Sequence, residues 1–141
     1  MPVCVIEGPA GLSKDSKKEL IEKVLDILVE AYKMADDRVY INEYSLPNVG
    51  HTPREWADKD WSIQSENARV VCNIIAPPGL NTDSKRKMFR DITEAIARIN
   101  KIMDQRDILV FLSEHPLDNV ASNGFIQTEN PAFSSPATMQ N

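Results

Sequence analysis

A stretch near the start of the chain is repeated 68 residues later without a gap. The segment VCVIEGPAGLSKDSKKEL at residues 3–20 aligns with VCNIIAPPGLNTDSKRKM at residues 71–88. So many matches at one offset, in the same order, indicate a duplicated structural unit. The identical pairs are Val3/Val71, Cys4/Cys72, Ile6/Ile74, Pro9/Pro77, Gly11/Gly79, Leu12/Leu80, Asp15/Asp83, Ser16/Ser84 and Lys17/Lys85, and the same offset predicts the pairs Asp36/Asp104 and Arg38/Arg106.

Each copy has the same predicted order of elements. A short apolar run, at residues 3–6 or 70–75, leads through a Pro-x-Gly loop into a long segment of helical periodicity. A second β-rich run follows at residues 38–44 and at residues 107–112. The apolar stripes of the two predicted helices are Leu20, Ile21, Val24, Leu28 and Ala31 or Tyr32 in the first copy, and Met88, Phe89, Ile92, Ile96 and Ile99 in the second.

The order strand, helix, strand predicts a βαβ unit with parallel strands and a right-handed crossover. Ser13 and Asn81 stand where each helix needs an N-cap. The whole chain is then β-α-β-β-α-β, an α+β fold in which tandem βαβ repeats form one four-stranded sheet. Both helices are expected on one face of that sheet, because this arrangement buries both apolar stripes.

At 141 residues the chain is expected to form one main domain. A polar, Pro-rich tail follows it, which is expected to be disordered or packed on a neighbour. The predicted divisions are a single domain at 1–125, made of βαβ unit 2–45, linker 46–68, βαβ unit 69–113 and closing segment 114–125, and the tail at 126–141.

Charge and composition exclude several classes of partner. The net charge of −5 leaves no basic excess for a nucleic-acid backbone or an anionic membrane. No apolar run reaches the roughly 18 residues of a bilayer span, and no signal peptide is recognised, so a cytoplasmic protein is expected. Cys4 and Cys72 lie in apolar runs without metal-ligand spacing. Buried, reduced thiols are favoured there over a disulfide or a catalytic thiolate, and no metal is expected.

Pro2 is the residue whose chemistry depends most on its position. If Met1 is removed, the chain begins with a secondary amine, whose pKa is lowered when it is buried among apolar groups. Such an amine can act as a general base or acid without a cofactor. The equivalent residue in the second copy, Val70, has only an amide nitrogen. A strand-start proline with Met1 retained is the structural alternative.

These features together resemble the tautomerase superfamily over roughly residues 2–125. The resemblance rests on Pro2 before a strand, Glu7-Gly8, the long helix, RVYINEY at residues 38–44 and the tandem repeat. It implies a cofactor-independent homotrimer that isomerises the keto and enol forms of a small carboxylate, a 2-oxo acid. A lyase, hydratase, decarboxylase or dehalogenase of the same superfamily is the alternative. A non-catalytic ferredoxin-like ligand-binding module is the alternative of another class, because it shares the order of elements.

The resemblance also implies site residues. Arg38 matches a substrate-binding arginine of the single-unit members, and Asp37 with Arg38 resembles the Asp-Arg pair of the superfamily's decarboxylases, so Pro2, Asp37 and Arg38 are the predicted catalytic residues. The loop at 76–81, APPGLN, lacks the two arginines of the fused-repeat dehalogenases and decarboxylase, and Phe111 and Ser122 replace the water-activating pair, which disfavours a dehalogenase. The predicted substrate-binding residues are Tyr40, Asn42, Arg54, Arg69, His115 and Phe125.

Overall fold

The computed structural model describes residues 2–34, 37–44, 69–102 and 105–130. Short 3-10 turns lie at Gln105–Asp107, Leu117–Asn119 and Gln127–Glu129. The strands and helices are β1 (Val3–Pro9), α1 (Lys14–Tyr32), β2 (Arg38–Tyr44), β3 (Val70–Ala76), α2 (Thr82–Asn100), β4 (Ile108–Glu114), β5 (Ala121–Ser122) and β6 (Phe125–Ile126).

Two parallel βαβ units join into one mixed sheet of four strands in the order β2-β1-β3-β4. Strands β1 and β2 are parallel, as are β3 and β4, whereas β1 and β3 are antiparallel neighbours at the centre. The short strands β5 and β6 form a separate hairpin. The α+β fold predicted from the repeat is therefore confirmed.

The core lies between the sheet and the two helices. Alternate residues of the central strands, such as Cys4, Ile6 and Ile74, are buried against the helices. The predicted helical stripes form most of the helical side of this core. Its helical members are Leu20, Val24, Ile27, Leu28, Tyr32, Met88, Ile92, Ala95, Ile96, Ala97 and Ile99.

The opposite face of the sheet carries exposed apolar side chains; we call it the free face. Phe111 on β4 is 53% exposed and Tyr40 on β2 is 48% exposed. Leu109 and Val71 are exposed on the same face. Because strand residues alternate between faces, these side chains point away from the helices.

The repeated loops and caps have the same geometry in both units. The Ser13 hydroxyl accepts from the Ser16 N–H at 3.1 Å, and the Asn81 carboxamide oxygen accepts from the Ser84 N–H at 2.8 Å. Both predicted N-caps are confirmed. The repeated glycine of the Pro-x-Gly loop, Gly79 in the second unit, has φ +118°, a backbone conformation that side-chain-bearing residues rarely adopt.

The two cysteines meet at the centre of the sheet. The sulfurs of Cys4 and Cys72 are 3.1 Å apart and share a hydrogen bond, and both residues are fully buried as free thiols. The hydrogen bond with Cys4, together with burial, raises the pKa of the Cys72 thiol. The predicted buried, reduced thiols are confirmed.

The predicted equivalence of Arg38 and Arg106 is wrong. Val3 pairs with Arg38, and its repeat equivalent Val71 pairs with Leu109, three residues beyond Arg106. Arg106 instead lies in the 3-10 turn that precedes β4. The extra turn shifts the register of the last strand, so the sequence match at this point is not a structural one.

The chain remains packed beyond β4. Gln127 and Asn130 are both buried, although they lie past the position 125 at which the composition becomes polar and Pro-rich. The closing segment of the domain thus reaches Asn130.

Within the described ranges, neither helix combines the length and apolar character that crossing a bilayer requires.

The helix C-caps allow a direct test of the repeated architecture. Lys33 and Lys101 both follow their helices in the left-handed conformation, with φ 57°. Lys101→Gly is expected to raise the free energy of unfolding by about 0.5–1 kcal/mol, because glycine lacks the steric penalty of this conformation. Urea denaturation at fixed protein concentration measures the change.

Lys23→Gly, at an exposed position inside α1, is the matched control and is expected to lower the free energy of unfolding by about 1 kcal/mol. Equal destabilisation by both substitutions would contradict the assigned C-cap conformation.

Candidate active site

At one end of the sheet, where the strands begin or finish, four chain segments come together. We call this end of the sheet the Pro2 edge and the other end the opposite edge. The starts of β1 and β2 lie there, with the ends of β3 and β4. Because Val3 pairs with Ile75 in the antiparallel direction, Pro2 lies beside Ala76. Ala76 in turn pairs with Glu114 at the end of β4. Residues from both units therefore surround Pro2.

Pro2 itself is held firmly by the sheet. Its side chain is fully buried, and its carbonyl accepts from the Arg38 N–H at 3.1 Å. In an extended strand the nitrogen and the carbonyl of one residue face the same neighbouring strand. The nitrogen of Pro2 therefore faces β2, on the side where Asp37 precedes Arg38.

Three ionisable side chains cluster on the helix side of the Pro2 edge. Tyr32, at the end of α1, is 1% exposed, and both carboxylate oxygens of Asp37 are shielded from solvent. Burial, then the charge of Glu114, then that of Asp37 raise the pKa of Tyr32 to about 12. Tyr32 is therefore a neutral hydrogen-bonding group at physiological pH.

The opposite edge of the sheet shows which of these features belong to the repeated architecture. Lys85 pairs with Glu114 at 2.7 Å, and Lys17 forms the same ion pair with Glu43 at the other edge. The lysine-glutamate pair is thus a structural element of both units. The residues that occupy the places of Pro2, Tyr32 and Asp37 at that other edge are Val70, Asn100 and Ile108.

A small pocket opens on the free face of the Pro2 edge. Its volume is about 50 Å³. Arg38 is the direct cross-strand partner of Val3, so its side chain leaves the sheet on the same face as Val3, which lines the pocket. The lining residues are Val3, Ile75, Ala76, Pro77, His115, Leu117, Val120 and Gln127.

Two polar side chains stand among the apolar walls of this pocket. The N–H of His115 donates to the Ala76 carbonyl at 2.9 Å, which fixes His115 where β4 ends. The N–H of Gln127 donates to the Val120 carbonyl at 2.8 Å. Gln127 is 3% exposed, and its carboxamide oxygen has no hydrogen-bond partner among the residues that the structure describes.

The structure brings four of the predicted site residues together. Pro2, Asp37 and Arg38 meet at the Pro2 edge, and His115 lies in the pocket. Phe125 lies in the closing hairpin, two residues before Gln127, and is 47% exposed.

The other predicted site residues lie elsewhere or outside the described ranges. Tyr40 and Asn42 follow β2 away from Pro2 along the free face, since they pair with Val5 and Glu7. The remaining two are arginines: Arg69, at the start of the predicted second unit, lies at the opposite edge, 3.2 Å from Asp107, and Arg54, in the predicted linker, lies outside the described residues.

Sequence reasoning missed Tyr32, Glu114 and Gln127 as members of this edge. Tyr32 reads as one more member of an apolar helical stripe, and Gln127 lies in a segment of tail-like composition. Neither Tyr32 nor Gln127 carries a sequence signal that could have placed it at the Pro2 edge. In the described part of the chain, no three His, Cys, Asp or Glu side chains are grouped to hold a metal ion.

Part of the chain matches a known protein family. Residues 71–126 match the family described as tautomerase enzyme. No curated protein sequence matches the chain.

Solved structures share the fold over most of the chain. Native fused 4-OT has 20% identity and a TM-score of 0.70, with 88% of this chain and 94% of that chain covered. A fused 4-OT solved as a symmetric trimer has 18% identity and a TM-score of 0.70, with the same coverage. FG41 malonate semialdehyde decarboxylase inhibited by 3-bromopropiolate has 17% identity and a TM-score of 0.69, with 95% and 99% covered.

Tyr32 gives a pH-dependent prediction for this site. Its pKa is higher in the folded protein than in the unfolded chain, so its contribution to stability is complete below about pH 10 and is lost as the pH rises through about 12. Tyr32→Phe is therefore expected to flatten the fall of the free energy of unfolding above about pH 10. Urea denaturation from about pH 9 to about pH 11 measures this slope.

Tyr40→Phe removes a half-exposed phenol from the free face and is the matched control for the loss of a hydroxyl. An unchanged alkaline slope in Tyr32→Phe would contradict the position assigned to Tyr32 between two carboxylates.

Proposed function

We propose that the chain is a member of the tautomerase superfamily and acts as a cofactor-independent tautomerase of small 2-oxo acids. The observation that carries the proposal is the placement of Pro2. It is buried at the one edge of a duplicated frame that also holds Asp37, Arg38 and a small pocket. Its counterpart in the duplicate is Val70, an internal residue.

The proposed reaction moves one proton. After removal of Met1, the neutral secondary amine of Pro2 takes a proton from C3 of the bound 2-oxo acid. The C3–H electron pair becomes the C2=C3 double bond, and the C2=O π pair moves onto the oxygen to give the enolate. The protonated amine then returns the proton to the C2 oxygen, which gives the enol, or to C3. The chemistry is general base and acid catalysis by one group.

Arg38 is the proposed partner of the substrate carboxylate. It lies beside Val3 on the face to which the pocket opens. A guanidinium binds a carboxylate by two parallel, charge-assisted hydrogen bonds. The same positive charge stabilises the negative charge that develops on the enolate. The substrate is then held with its carboxylate toward β2 and its carbon chain toward β3.

Asp37 supports decarboxylation or hydration of a short 3-oxo or unsaturated acid as a second candidate. Its shielded carboxylate lies on the side of β1 that the Pro2 nitrogen faces. A carboxylate in that position keeps the amine protonated by raising its pKa, which suits an acid rather than a base. Loss of CO2 from a 3-oxo acid, without proton exchange at C3 of a 2-oxo acid, would favour this candidate.

We also propose a homotrimer assembled through the free face. Tyr40 and Phe111 lie in one row across the sheet, with Val5 and Asn73 between them. Exposed apolar side chains grouped on one face mark a protein interface. The relative named above as a symmetric trimer supports three copies. The pocket opens on this face, so a neighbouring copy completes its surroundings.

The role of Pro2 is tested by proton exchange. Wild-type protein in D2O is expected to replace the C3 protons of 2-oxobutyrate with deuterium, and Pro2→Ala is expected to slow this exchange by about 10²–10⁴-fold. Proton NMR follows the C3 signal directly. Alanine at this position also permits removal of Met1, so the variant keeps a free, primary amine as a matched terminus.

Intact-mass measurement on the same samples determines whether Met1 is absent. Retention of Met1 in active protein, or equal exchange by wild type and Pro2→Ala, would remove Pro2 from the mechanism.

The assembly is tested on the free face. Phe111→Asp is expected to reduce the mass in solution from three chains to one, because an unpaired carboxylate cannot be buried in an apolar contact. Light scattering coupled to size exclusion measures the mass. Val29→Asp changes an equally apolar, 42% exposed residue on α1 and is expected to leave the assembly intact. A trimeric Phe111→Asp variant would exclude the free face as the interface.

A further inference from the structure

The carboxamide of Gln127 is anomalous for a buried polar group. Gln127 is 3% exposed, and its side-chain oxygen has no hydrogen-bond partner within the described ranges. Buried polar atoms are nearly always hydrogen-bonded, and one that is not lowers stability. Asn130, three residues later and also buried, donates from its carboxamide to the Ser122 carbonyl at 3.4 Å. The unsatisfied oxygen therefore belongs to a residue of the pocket wall, and the other buried carboxamide of this segment does not share it.

Apart from His115, whose ring makes no hydrogen bond to this oxygen, the other side chains of the pocket wall are apolar. Val3, Ile75 and Leu117 are apolar, and Ala76 uses its carbonyl to accept from the His115 N–H. The terminal torsion angle of a glutamine side chain has a broad distribution. The amide group can therefore rotate toward a ligand while the backbone of Gln127 stays in place. A ligand that brings its own hydroxyl or carbonyl into the pocket would pair with this carboxamide.

The pocket volume limits the size of that ligand. A cavity of about 150 Å³ holds benzene, whereas this pocket measures about 50 Å³. An aromatic ring is too large for it, but a group of a few non-hydrogen atoms fits. The apolar walls favour an aliphatic group over a charged one.

We propose that Gln127 determines specificity by binding the C2 oxygen of a short aliphatic 2-oxo acid, with the enol form preferred. Arg38 takes the carboxylate at the mouth of the pocket, and Gln127 takes the adjacent oxygen inside it. The role assigned to Gln127 rests on the proposed function, because it concerns the substrate of the same site.

The preference for the enol follows from hydrogen-bond chemistry. A ketone oxygen only accepts hydrogen bonds, so it leaves the carboxamide oxygen of Gln127 unpaired. An enol hydroxyl donates to that oxygen and also accepts from the amide N–H. A site that holds an unpaired buried acceptor discriminates against a ligand that lacks the matching donor. Interactions that are stronger with the enol-like transition state than with the ketone lower the barrier to formation of the enol.

The test measures binding without turnover. Titration calorimetry compares 2-hydroxybutyrate, which carries a hydroxyl at C2, with butyrate, which does not. Wild-type protein is expected to bind 2-hydroxybutyrate roughly threefold to tenfold more tightly, as one hydrogen bond in a buried site predicts. Gln127→Met keeps the volume of the side chain but removes the amide, and it is expected to abolish this preference.

Thermal unfolding of the same variants separates a binding role from a structural one. Gln127→Met is expected to unfold at the same or a higher temperature, because it removes an unsatisfied buried atom. Asn130→Leu, the matched control, is expected to unfold at a lower temperature and to keep the wild-type preference for 2-hydroxybutyrate. If Gln127→Met does not fold, Gln127→Asn withdraws the amide by one methylene and is expected to abolish the preference as well.

The size limit is tested with 3-phenyllactate, which adds a ring to the same class of 2-hydroxy acid. It is expected to bind at least about tenfold more weakly than 2-hydroxybutyrate, because the pocket cannot admit the ring. Equal binding of 2-hydroxybutyrate and butyrate by wild type, an unchanged preference in the Gln127 variants, or equal binding of 3-phenyllactate would overturn the proposal. None of these measurements requires Pro2 to react, so absent proton exchange alongside the expected binding results would count against the proposed function alone.

Discussion

The antiparallel contact between β1 and β3 is the constraint on which the rest of the structure depends. It joins two βαβ units that each have an open strand edge, and it buries the paired sulfurs of Cys4 and Cys72 beneath the helices. Because side chains alternate along a strand, a slip of one residue in this pairing would turn the cysteine of the slipped strand to the free face and separate the two sulfurs. The same register sets Pro2 beside Ala76 and brings the closing segment of the second unit to the first residues of the first.

The duplicated frame makes the two edges of the sheet comparable, and the differences between them point to the candidate site. Both edges keep a lysine-glutamate ion pair at the start of a helix. Among the described residues, only one edge combines Pro2, a shielded carboxylate and the buried hydroxyl of Tyr32. Features that both edges share therefore stabilise the fold. Buried polar groups found at one edge alone lower stability, so they are the candidates for function.

The repeat and the helical periodicity predicted the fold because both depend on local patterns. The caps at Ser13 and Asn81 and the buried stripes follow directly from them. The predicted equivalence of Arg38 and Arg106 in the repeat was wrong because a 3-10 turn precedes β4. Identical residues at one sequence offset cannot reveal such an insertion. Gln127 could not be predicted because its burial depends on how the closing segment folds back over the end of the sheet.

The position of the pocket links assembly to chemistry. The pocket and Arg38 open on the same face as Phe111 and Tyr40, so a subunit docked there would also remove water from the pocket. Hydrogen bonds and charge pairs are stronger at lower effective dielectric, so in the proposed trimer Arg38 and Gln127 would hold an oxo acid more firmly than in one chain. An isolated chain would keep Pro2 and the pocket, but not the dry environment in which one positive charge stabilises an enolate. In the proposed trimer, the apolar free face would serve both association and the reaction.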